Sequence, residues 1–145
     1  MFTACYRHGA AYNKIEQLVE KIYFFMRYKV DNIKNYTKTK GWLCGQFFPS
    51  DSIQKNSELE VKYDKMNPGD VYPPHYHPHG TEVCIVVKGK IRWQLDGKEF
   101  ILSEGDFIFM KNNVTEAVLE VYKPTITVSV RTPSVPNNKI NKDEK

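Results

Sequence analysis

His75, His77 and Glu82 are the side chains of this chain best suited to hold a metal ion: two imidazoles and a carboxylate in His-X-His-X4-Glu spacing, framed by Gly69 and Gly89. Residues two apart on a strand point to the same side, so His75 and His77 present both rings to one face. Glu82 follows His77 at an odd interval, which on an uninterrupted strand sends it to the opposite face. A break in the pleat is required. Pro78, His79 and Gly80 supply it, because Pro ends ladder pairing and Gly permits a bend. Glu82 then opens a new strand, Glu82 to Lys88, with its carboxylate turned back toward the rings. Two imidazoles and one carboxylate with positions left open are the set used by non-haem iron, and they also suit Mn, Ni or Zn. The bland alternative is a Pro-rich surface loop that carries three of the four histidines idly; the flanking glycines and the following strand favour the metal site.

The elements needed to position such a site are short strands. Gly41 to Phe48 reads as a first strand and 49–57 as a loop. Leu59, Val61 and Tyr63 alternate with charged residues, a period of two that predicts a half-buried strand. Asn67-Pro68-Gly69-Asp70 is a turn. Glu82 to Lys88 and Ile91 to Leu95 flank Gly89-Lys90, which reads as a tight hairpin. Asp96-Gly97, Ser103 to Asp106 and Asn112-Asn113 punctuate further strands at Lys98 to Leu102, Phe107 to Met110, Glu116 to Tyr122 and Thr125 to Val130. Regular short strands separated by turns predict a β-sandwich or barrel.

With these residues in place, the chain resembles the cupin superfamily. The first motif of that family, Gly-X5-His-X-His-X3 or 4-Glu-X6-Gly, is met at Gly69, His75, His77, Glu82 and Gly89, and the run from Pro73 to Glu82 is similar to its germin type. The likeness extends from about Leu59 to Arg131. It implies an all-β fold, a small double-stranded jelly-roll barrel, with the three residues as metal ligands. The second motif is half present: Gly105-Asp106 begins it, but Lys111 and Asn113 stand where Pro and Gly are usual, Glu116 where the fourth ligand His is usual, and Glu120 where Asn is usual. Three readings of Glu116 follow. As a fourth ligand it completes a two-His, two-carboxylate site that favours Mn or Fe. As a free carboxylate beside the metal it is a catalytic general acid or base. As a solvent-facing residue it marks a decayed site. Glu116, Val118 and Glu120 share one face of their strand, and two inward carboxylates call for a cation.

At 145 residues the chain supports one domain with a real core. The expected division is an N-terminal helix and linker over 1–40, a barrel over 41–133 and a flexible tail over 134–145. Within the first part, Ile15, Leu18, Val19, Ile22 and Met26 fall at helical spacing and predict one amphipathic helix, although Met26 as the true start makes the first 25 residues an upstream extension. Net charge is +4, but the lysines are scattered and no basic stripe interleaves with aromatics, so nucleic acid is not an expected partner. Cys5, Cys44 and Cys84 are odd in number and lack CXXC spacing, which argues against a disulfide scaffold or a zinc ribbon; Cys84 reads as a core residue. No apolar run reaches membrane length and Glu16, Glu20 and Lys21 interrupt any signal-peptide core, so the expected address is cytoplasmic, without a membrane partner.

For the cavity, Arg92 and Gln94 occupy one strand face and Ile91, Trp93 and Leu95 the other, while Tyr72 and Arg131 are further lining candidates. The functional expectation is one divalent ion (Mn, Fe, Ni or Zn) on His75, His77, Glu82 and Glu116, supporting isomerase, lyase or dioxygenase chemistry on a small polar metabolite in a homodimer. The alternative is a non-catalytic barrel that binds a sugar or similar small molecule.

Overall fold

The computed structural model describes residues 28–142. The amphipathic helix expected within 12–27 and Cys5 lie outside them. A short 3-10 turn, η1 (Ile33–Tyr36), is followed by eight strands: β1 (Trp42–Cys44), β2 (Glu60–Met66), β3 (Tyr72–Tyr76), β4 (Thr81–Leu95), β5 (Lys98–Ser103), β6 (Phe107–Lys111), β7 (Thr115–Thr132) and β8 (Ile140–Asn141). All strand pairs are antiparallel. The described residues form the expected all-β barrel.

Two long strands organise it. β4 and β7 run side by side over their whole length, from Thr81 opposite Thr132 to Leu95 opposite Glu116. The second half of β7 lies between β2 and the first half of β4, whose outer neighbour is β6. Its first half lies between β3 and the second half of β4, whose outer neighbour is β5. Register shifts between Val86 and Trp93 mark where both strands turn the corner from one sheet to the other. The two sheets close over a core of Met66, Cys84, Val86, Ile91, Trp93, Ile108, Met110, Val118 and Val121. Each such aliphatic side chain, once buried, contributes about 1.5–3 kcal/mol.

This arrangement corrects several expectations. Gly89-Lys90 is not a hairpin: the strand continues through it, with Gly89 at φ 102° and no room for a Cβ, which would meet Pro124 O and Thr125 Cα at 2.6 Å. The glycine serves the sheet corner rather than a chain reversal. For the same reason Glu116 to Val130 is one strand, not two. The expected first strand shrinks to Trp42–Cys44, because Gly45 at φ 151° and the hydrogen bond from Phe48 N–H to Gly45 O turn the chain. Glu120 does not share the inward face of Glu116. Arg92 pairs with Glu120 and Trp93 with Val118, so one extra residue on β7 flips the alternation, and Glu120 points outward to Arg92 at 3.2 Å.

Two segments expected as linker and tail are built into the barrel. In 31–40, Tyr36 is buried, its hydroxyl donating to Asp31 at 3.0 Å. In 134–142, Ser134 N–H bonds to Ser57 O, and the end of the segment runs beside β3, with Ile140 opposite Tyr76, Asn141 opposite His75 and Lys142 N–H bonded to Pro74 O.

Candidate metal centre

The register of the strands assembles the site at one end of the barrel. His75 on β3 lies directly opposite Glu116 on β7, so their side chains share a face, and His77 follows two residues on. The bend at Gly80 (φ 84°), packed so closely on Thr132 that a Cβ would sit 2.2 Å from its carbonyl oxygen, starts β4 at Thr81. Glu82 is thereby returned to the same interior. The expected break in the pleat is where the sequence placed it. His79, the third histidine of the cluster, is exposed, and only its backbone serves the site, by exchanging hydrogen bonds with the Asn138 side chain.

His75, His77 and Glu116 each offer one ligand atom, and these atoms lie within 4.8 Å of one another. Glu116 Oε1 is 3.4 Å from both His75 Nε2 and His77 Nε2. All three residues are buried. The other ring nitrogens are committed to acceptors that cannot donate: His75 Nδ1 donates to Pro73 O at 2.9 Å and His77 Nδ1 to Asn138 O at 2.5 Å. Backbone carbonyls therefore assign the ring protons to Nδ1 and turn both Nε2 atoms toward Glu116, as metal-binding histidines are commonly oriented. Burial alone would raise the pKa of Glu116, but the facing imidazoles, by hydrogen bonding and by charge, reverse this and hold it down to about 2. An ionised, buried carboxylate at this point has a positive charge beside it, a proton shared with the rings or an ion in their place. The solvent-facing reading of Glu116 is overturned.

Glu82 is buried in the same cavity, 3.8 Å from His77 Nε2, but stands outside the three-residue cluster. Its carboxylate accepts from Arg131 Nε at 3.0 Å and Arg131 Nη2 at 2.7 Å. Arg131 also donates to Glu60 Oε1 at 2.5 Å and to His77 Nε2 at 2.8 Å. Ser134 donates to the remaining Glu60 oxygen at 2.8 Å. The register explains the knot: Arg131 on β7 is directly opposite Glu60 on β2 and Glu82 on β4. Two buried carboxylates flank one guanidinium, a geometry that uses its fork on both sides.

Of the further lining candidates, Tyr72, Arg131 and Trp93 face the cavity, while Arg92 points out to Glu99 and Glu120. Tyr72 donates to Asp64 at 2.8 Å, and burial with that bond raises its pKa, so it remains a neutral hydroxyl. Cys84 lies in the core and burial pushes its thiol up to about 12, which removes it as a thiolate ligand.

Residues 63–118, from within β2 to the first residues of β7, match the family model described as a cupin domain. The chain carries a cupin domain. A stretch of 24 residues, 17% of this chain, is 58% identical to germin-like protein subfamily 1 member 5 of Arabidopsis thaliana and spans only 11% of that protein's length. Among solved structures, an uncharacterized conserved protein with a double-stranded β-helix domain from Klebsiella pneumoniae is similar with a TM-score of 0.59 at 20% identity, covering 81% of this chain and 100% of that one. The DMSP lyase DddQ from Ruegeria pomeroyi gives 0.57 at 14% identity over 85% and 75% of the two chains. KdgF from Halomonas gives 0.53 at 21% identity over 57% and 74%. At these identities the likeness is one of fold. The cupin match ends at Val118, so Arg131, Ser134 and Asn138, which hold the site from behind, lie beyond it.

Proposed function

We propose that this cupin binds one divalent metal ion through His75, His77 and Glu116 and uses it to act on a small polar metabolite. The observation that supports this most is the convergence of two Nε2 atoms on one carboxylate oxygen at 3.4 Å, with both Nδ1 atoms already spent on backbone carbonyls. Two Nε2 atoms and a carboxylate oxygen this close need a positive charge among them, supplied by ring protons or by a bound cation. Charge balance points the same way. Glu60, Glu82 and Glu116 are all at most 7% exposed, and among the described residues Arg131 is the one guanidinium that meets them. With the rings uncharged that leaves two negative charges, which one divalent ion neutralises. Nitrogen and carboxylate donors suit Mn, Fe, Ni or Zn.

Arg131 donates to His77 Nε2 as well as to Glu60 and Glu82, so it would yield the His77 bond to a metal held there while keeping both carboxylates. Glu82, the ligand candidate from the spacing, is held by Arg131 through two hydrogen bonds and would have to share its carboxylate to join the set. Glu116, held ionised, fits a ligand better than a proton donor at neutral pH. When bound, the ion supplies Lewis-acid polarisation of a ligand oxygen. Asn138 and Pro73 fix the ring orientations, and Arg131 holds Glu82 in place. The cavity above these residues, about 780 Å³, has room for a metabolite beside the ion.

The test is calorimetric titration of chelator-treated protein with Mn(II) and Zn(II). One equivalent should bind the wild type, Glu116→Gln should bind at least tenfold more weakly, and His75→Ala should bind none while its far-UV circular dichroism stays native. Equal uptake by His75→Ala would overturn the site. A barrel that takes up no metal yet binds sugars would support the non-catalytic alternative.

A further inference from the structure

The cavity wall is more cationic than the metal centre requires. Lys34, Lys40, Lys62, Lys65, Arg131 and Lys139 line it, against the carboxylates of Asp64, Glu82 and Glu116. Each carboxylate is already engaged: Glu82 by Arg131, Glu116 by the imidazoles, and Asp64 by Lys62 at 2.8 Å and by Tyr72. Among the described residues Lys139 has no carboxylate partner. It precedes β8, whose Asn141 pairs with His75, and follows Asn138, whose carbonyl holds His77, so its place on the rim is set by the same backbone that orients the ligands. Lys62 holds its ammonium over the rings of Trp42, at 5.8 Å, and Tyr72, at 5.7 Å, inside the same mouth.

Although Lys139 is exposed overall, burial around its ammonium lowers its pKa, with Lys62 and Arg131 adding to this and Glu116 and Asp64 opposing it. A cation crowded by cations gains from an anion. A divalent ion at the centre would add positive charge to the same space. Trp93, 6% exposed and part of the wall, has an indole N–H with no acceptor among the described residues, a second donor in need of an oxygen.

We infer that the ligand of this cavity is a small organic carboxylate whose anionic group is held by Lys139, with Lys62 beside it, while the rest of the molecule faces His75, His77 and Glu116. This rests on the proposed function for the ion but not for the anchor, which the lysines supply by themselves. Side-chain ammonium to carboxylate contact at a partly desolvated mouth is a charge-assisted bond of the stronger kind.

The experiment is calorimetric titration with malonate, neutral malonamide and inorganic phosphate, on protein with and without one equivalent of Mn(II). Malonate should bind at least tenfold more tightly than malonamide in both forms. Lys139→Ala should weaken malonate binding about tenfold and Lys139→Arg should restore most of it, with metal stoichiometry unchanged in both variants. Malonate affinity that ignores Lys139→Ala, or malonamide that binds as well, overturns the anchor even if the ion binds. Phosphate that binds more tightly than malonate through Lys139 overturns the carboxylate assignment. Absence of metal uptake, with malonate still dependent on Lys139, defeats the metal reading and leaves the anchor standing.

Discussion

The two ends of the barrel interior are made by the same two strands and differ in almost everything else. Near Thr81 and Thr132, β4 and β7 turn Glu82 and Arg131 inward to meet Glu60, His75, His77 and Glu116. Near the corner at Gly89, the same strands turn Val86, Ile91 and Val121 inward, into the apolar core. One end is held by ion pairs and hydrogen bonds whose members are costly alone; the other by contacts that no single residue dominates. A barrel can thus place a chemically demanding site at one mouth because the opposite end supplies the hydrophobic stabilisation.

The comparison breaks most sharply at Arg131. Arg131→Leu leaves Glu60 and Glu82 buried without their guanidinium, and urea unfolding should show a loss of about 3–5 kcal/mol, together with altered metal affinity. At the apolar end, Ile91, 0% exposed, is the counterpart. Ile91→Ala should lose about 2–5 kcal/mol, while metal affinity below the unfolding transition stays near wild type. A variant at the apolar end that lost metal before it lost fold would show the two ends to be one unit. At the boundary between them, Gly89→Ala places a Cβ against Pro124 and Thr125 at positive φ and should lose about 1–3 kcal/mol, measured by thermal melting.

The smallest effect is in acid. The folded pKa of Glu116, about 2, lies below its ordinary value of 4.5, so ionised Glu116 contributes stability that is present above the ordinary value and lost as pH falls toward the folded one. The stability difference between wild type and Glu116→Gln should therefore shrink between about pH 5 and pH 2 in urea titrations of the ion-free protein. A difference that stayed constant across that window would mean that Glu116 is not held ionised by its neighbours.

What was legible in the sequence followed from local spacing. His75, His77, the break at Gly80 and the return of Glu82 are all set by residues within a few positions of one another, and the strand and turn pattern announced the barrel. Glu60 shows where that reasoning ends. Hydropathy along β2 assigns the apolar Leu59, Val61 and Tyr63 to the interior, yet the buried residues of that strand are Glu60 and Met66. The outer face of the barrel exposes large apolar groups, including Ile85, Val87, Phe107 and Phe109, while the inner wall at the site end is polar, so amphipathicity points the wrong way. Arg131 was visible only as a lining candidate, because its partner Glu60 is 71 residues distant and only the β2–β7 register joins them. Asn138 and Ser134 carry no local signal at all: their roles depend on a segment that reads as tail being drawn back against Glu60, His77 and β3. Glu120 was misassigned by one residue of bulge, which no alternation rule foresees.

The central claim is that the Nε2 atoms of His75 and His77 are aimed at a common ion. Long-range nitrogen–proton NMR of the imidazoles tests it directly, since the chain has only 4 histidines to assign. With one equivalent of Zn(II), both rings should carry their proton on Nδ1 and both Nε2 resonances should move together, while those of the exposed His79 stay put. Rings that keep a proton on Nε2, or resonances that do not respond to the metal, would contradict the account.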